Sequence, residues 1–105
     1  MDLLVSASQR LSLICPLPAP VRFSRCRLDH WADCYKTKQG FRIRIRKGIT
    51  GKDLLDCLAH EWAHAATWDL ETIHHGPVWG VTYARLYSDL IDHDHLKPRP
   101  RRRRH

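Results

Sequence analysis

His60-Glu61-Trp62-Ala63-His64 places two imidazoles four residues apart, with a carboxylate next to the first. On a helix, positions i and i+4 stand one above the other, so His60 and His64 can grip one zinc ion at ~2.0–2.1 Å. Glu61, one residue round from the first ligand, can take a proton from water at the metal's open position and pass it to a leaving amine. Such a pattern arises by chance in roughly one chain per hundred of this composition. A catalytic zinc normally has three protein ligands and one open position. Glu71 would lie two turns, ~10 Å, beyond His64 if the helix continued. A third histidine six residues after the second, behind a glycine, would need Gly at 67 and His at 70, where Thr67 and Leu70 stand. His74 and His75 remain, after a turn that can bring the chain back. His75 is the favoured one, because Gly76-Pro77 and a helix start follow it directly and would hold its ring.

The elements that must position these groups follow from periodicity. Leu3, Leu4, Ala7, Leu11 and Ile14 predict an amphipathic helix over 2–14, which Pro16, Pro18 and Pro20 end. From 21 to 47 the period changes to two. It predicts strands over 21–28, 30–36 and 41–47, with a hairpin turn at Thr37-Lys38-Gln39-Gly40. In the third strand Phe41, Ile43 and Ile45 face the core, while Arg42, Arg44 and Arg46 form a row of cations. That row either guards a sheet edge or meets nucleic acid or substrate. Thr50 is a candidate cap for the next helix, with Asp53 near its positive end. Leu54, Leu55, Leu58, Trp62 and Ala65 give that helix a core stripe to about residue 68. Pro77 opens the last helix, whose apolar face carries Trp79, Tyr83, Leu86 and Leu90 and which ends near Asp92. Trp31, Trp62, Trp68 and Trp79 are expected in the core.

A chain of 105 residues, 43% hydrophobic and 28% charged, is one small globular domain with a thin core that a metal would help to hold. It has no room for a separate cofactor-binding half, which excludes most multi-domain enzymes. The net charge of +7 is unevenly placed. Lys97, Arg99 and Arg101, Arg102, Arg103, Arg104 supply six of the 18 cations, and what is left nearly balances the 11 carboxylates. The domain is therefore expected over 1–96 and a disordered basic tail over 97–105. Cys15, Cys26, Cys34 and Cys57 show no CxxC spacing, so reduced thiols in a cytoplasm are the expectation. The N-terminal stretch lacks a cationic start and is interrupted by polar residues, which makes it a poor signal peptide, and no apolar run could span a membrane.

His60-Glu61-Trp62-Ala63-His64-Ala65, followed by His75-Gly76-Pro77-Val78-Trp79, resembles the HExxHA…HGxxF/W pattern of the SprT-like zinc metallopeptidases, the family of Spartan and of many small bacterial and phage proteins. The resemblance covers roughly 20–92, and its specific part is 60–79. It implies an α+β fold, a minimal zincin-like domain: N-terminal helix, small three-stranded antiparallel sheet, HExxH helix and following C-terminal helix. It also implies one Zn2+ per chain held by His60, His64 and His75, with Glu61 as general base. The pattern departs from the family in having a basic tail where many members carry a cysteine-rich zinc ribbon.

The first reading is thus a zinc-dependent endopeptidase acting on protein or peptide chains. Substrate would lie along the 41–47 strand, taken as a sheet edge, and the tail and Arg42/Arg44/Arg46 would recruit nucleic acid or an acidic partner. Two alternatives are a non-catalytic, zinc-stabilised nucleic-acid-binding module and a phage accessory or virion component. His74 and Tyr83 are candidates to stabilise the oxyanion. Cys57 reads as a buried thiol, and Asp92-His93-Asp94-His95 as a solvated helix end rather than a second metal site.

Overall fold

The computed structural model describes residues 2–70 and 75–93. Helical spacing and alternation yield α1 (Leu3–Ile14), β1 (Val21–Cys26), β2 (Ala32–Thr37), β3 (Gly40–Arg46), α2 (Gly51–Ala66) and α3 (Pro77–Asp92). The expected basic tail lies outside the described residues, as do His74 and the second half of Asp92-His93-Asp94-His95.

The sheet order is β1-β3-β2, with β2 antiparallel and β1 parallel to β3. The sheet is therefore mixed, not wholly antiparallel as expected. Only β2 and β3 are joined by a tight hairpin, which forces them antiparallel. The 27–31 connection carries the chain past the central position, and β3 then enters between its two predecessors, running the same way as β1. The strand with the fullest apolar alternation takes the centre: Phe41, Ile43 and Ile45 are all buried. A second expectation falls with this topology. The 41–47 strand is hydrogen-bonded on both sides, so its arginines guard no edge and no substrate can add to it.

Gly40 makes the hairpin possible. It sits at φ 142°, and a Cβ there would stand 2.2 Å from the Pro20 carbonyl oxygen, which accepts the Phe41 amide at 2.8 Å. The Thr37 hydroxyl closes the turn, donating to the Gly40 carbonyl at 3.1 Å and accepting the Gln39 amide at 3.2 Å.

All three helices lie on one face of the sheet. α2 packs on β2 and β3, while α1 and α3 pack on α2. The core joins Leu4, Ala7 and Leu11 of α1, Ile43 and Ile45 of β3, Leu54, Leu55 and Leu58 of α2, and Leu86 and Leu90 of α3. Arg10 fastens α1 to α3 through two hydrogen bonds to the Asp89 carboxylate, at 2.8 and 3.0 Å. Thr50 occupies the N-cap position of α2, but its side chain makes no capping bond, since Gly51 turns left-handed directly after it (φ 60°). Of the four tryptophans, Trp62 alone is fully buried, donating its indole N–H to the Cys15 carbonyl at 2.9 Å. Trp79 is half-buried, and Trp31 and Trp68 are 46% and 37% exposed, contrary to their expected place in the core. Both exposed residues lie where no further layer covers them among the described residues, Trp31 entering the edge strand β2 and Trp68 just past the end of α2.

Candidate metal centre

α2 is buried along most of its length, through Leu54, Leu55, Leu58, Ala59, Trp62 and Ala65, and this leaves His60 and His64 on its half-open side, one turn apart. α3 brings the third imidazole. Pro77 stands at its first position and Gly76 at its N-cap, so the residue before them is held where the helix begins. That residue, His75, is in the left-handed region at φ 59°, a conformation uncommon outside glycine. It turns the ring toward α2. His75 Nε2 lies 3.1 Å from His64 Nε2 and 3.2 Å from His60 Nε2. The three histidines are the one such group of candidate metal ligands among the described residues, their ligand atoms all within 4.8 Å of one another.

These distances discriminate. Ligands at ~2.05 Å on tetrahedral zinc are separated by about 3.3 Å, close to the two contacts that His75 makes. The donor set fits zinc. Burial lowers the His60 pKa, the neighbouring His75 lowers it further, and Asp56 partly opposes them, so the neutral, metal-binding form of His60 is favoured.

Glu61 is 6% exposed, with its Oε2 4.0 Å from His60 Nε2. Burial raises its pKa to about 7, with the Asp33 charge adding to the rise and His30 opposing it. Beside it a cavity of about 210 Å³ is lined by Trp31, Ala32, Asp56, Cys57, His60 and Glu61, between α2 and the free edge of β2.

Two neighbours are not in the expected ligand set. Trp79 donates its indole N–H to the His60 carbonyl at 3.2 Å and stacks on His64 at 5.2 Å, its ring 4.4 Å from that of His75. It touches all three imidazoles and is the wall behind them. Tyr83 stacks on Trp79 at 5.1 Å and donates its hydroxyl to Asp56 Oδ1, and burial, together with that bond, pushes its pKa up to about 12. Asp56 was legible in principle, since it lies one turn before His60 on the helical spacing that carries His60 and His64. Burial likewise raises Cys57 to about 11, as befits a thiol held in the core.

Compared with protein-family models, with curated proteins and with solved structures, the chain matches none of them.

Proposed function

We propose that the chain is a zinc metallopeptidase: a minimal zincin-like domain in which His60, His64 and His75 hold one zinc ion and Glu61 is the general base. The observation that carries this reading is the placement of His75 Nε2 3.1 and 3.2 Å from the Nε2 atoms of His64 and His60, with a buried carboxylate 4.0 Å from that of His60. A bound zinc ion would supply Lewis acidity, polarising a carbonyl and lowering the pKa of water. Glu61 takes the proton of the attacking water and returns it to the amine as the peptide bond breaks.

A peptide would reach the centre along the free edge of β2, where Ala32 lines the cavity. This replaces the 41–47 strand, which the topology encloses. Four free thiols fit a reducing compartment such as the cytoplasm. No helix among the described residues is long and apolar enough to cross a membrane.

The test is cleavage of an unfolded protein such as casein by the zinc-loaded chain. Fragments that disappear with a chelator and with Glu61→Gln support the reading. A Glu61→Gln chain that binds zinc and cuts at the wild-type rate overturns it. Zinc bound by a wild-type chain that leaves every unfolded substrate intact favours a structural metal.

A further inference from the structure

The face of the sheet opposite α2 meets no helix among the described residues. Cross-strand register sets its side chains in rows. Arg22, Arg42 and Tyr35 form the first, Ser24, Arg44 and Asp33 the second. Cys26 and Arg46 form the third, extended by Trp31, whose carbonyl accepts the Arg46 amide at 2.8 Å. Two aromatic rings are thus interleaved with four guanidinium groups. Arg44 lies over the Tyr35 ring at 5.4 Å and Arg46 over the Trp31 ring at 6.0 Å. Tyr35 and Trp31 are 39% and 46% exposed.

The charge on this face is not cancelled within it. Asp33 neutralises Arg44, accepting a hydrogen bond from its Nε at 2.8 Å, and also holds His30. No carboxylate pairs with Arg22, Arg42 or Arg46 among the described residues. A cavity of about 330 Å³ opens beside the hairpin at Arg22 and Arg42, with Thr37 and Gln39 on its rim.

We infer that this open sheet face binds single-stranded nucleic acid, its phosphates on Arg22, Arg42 and Arg46 and its bases on Tyr35 and Trp31. Exposed aromatics among cations are the chemistry of unpaired bases, because every base has a face to stack and duplex bases hide theirs. None of these residues is a metal ligand or the base, and Trp31 alone also borders the cavity beside Glu61, so Tyr35 and the three arginines test the inference independently of the peptidase reading.

The test uses the zinc-loaded full chain with its six tail cations changed to serine, so that the tail cannot answer for the face. Fluorescence anisotropy follows a labelled oligo-dT of about 15 nucleotides. Binding is expected. The Arg22→Ala/Arg42→Ala/Arg46→Ala chain should bind at least ~10-fold more weakly, with a log–log salt slope shallower by about 2. Trp31→Ala and Tyr35→Ala should each cost ~10-fold on oligo-dT and leave binding to inorganic polyphosphate unchanged. Zinc content and melting temperature, held at the level of the parent chain, show that each variant is folded. Failure of the tail-neutral chain to bind oligo-dT overturns the inference. So does binding that the aromatic variants leave unaltered, which would make the face a site for any polyanion.

Discussion

Trp79 of α3 donates its indole N–H to the carbonyl of His60 at 3.2 Å, so the helix that follows the third histidine is tied to the turn of α2 that carries the first. The same indole packs on His64 and His75. One side chain thereby sets the relative placement of all three imidazoles, as groups around a metal site commonly do. Trp79→Phe, which keeps a ring and removes the N–H, is expected to weaken zinc ~10-fold and leave the fold intact. Titration of zinc against a competing chelator measures it, and unchanged affinity would reduce Trp79 to packing.

Wild-type chain should bind one zinc ion, and His75→Ala should bind it far more weakly. At free zinc 1,000 times its dissociation constant the metal adds ~4 kcal/mol to stability. Removal by a chelator should therefore lower the wild-type melting temperature and barely move that of His75→Ala. Metal analysis and melting curves of the two chains side by side decide it, and full zinc in His75→Ala would pass the third position to another residue.

Glu61→Gln should keep zinc and lose cleavage by ~10²–10⁴-fold, the range a positioned general base contributes. The amide is nearly isosteric and relieves a buried acid, so its melting temperature should not fall. A rate measured together with zinc content separates lost chemistry from lost metal.

Gly40→Ala should destabilise the domain by ~2–4 kcal/mol, because the new methyl group meets the Pro20 carbonyl in a backbone conformation that L residues rarely adopt. Chemical denaturation reads this directly. A loss below ~0.5 kcal/mol would mean that the hairpin and the 15–20 connector move apart freely.

Asp33 supplies a pH dependence whose sign is fixed. The hydrogen bond from Arg44, with a smaller one from His30, holds its carboxyl below the ordinary 3.8, against a burial penalty. A carboxyl lowered on folding stabilises the protein above its unfolded pKa, and the contribution is lost as pH falls through the folded value. His30 has the opposite sense. Raised by Asp33 and Asp29, it contributes below 6.5 and loses its effect as pH rises through its folded value. Asp33→Asn should therefore be modestly less stable than wild type above about pH 4 and converge with it in stronger acid. The difference should shrink with salt. Parallel curves across the acid range would contradict the Arg44 pairing.

What the sequence determined by itself was local. Helical spacing placed His60, Glu61 and His64 on one helix, Pro77 opened the next at its first residue, and period two marked Phe41, Ile43 and Ile45 as a core face. Each depends on residues within a few positions of one another, where backbone geometry alone sets what can meet. Tertiary structure decided everything that joins distant segments. It put β3 at the centre of the sheet and parallel to β1, which no alternation pattern encodes, because period two names a face but not a neighbour. It exposed Trp31 and Trp68, since a large apolar ring is buried only where another element covers it. It brought Asp89 to Arg10 across 79 residues, and Trp79 to the backs of three imidazoles. It also chose the orientation of His75, whose left-handed backbone turns one ring of an adjacent His74-His75 pair toward the two histidines of α2.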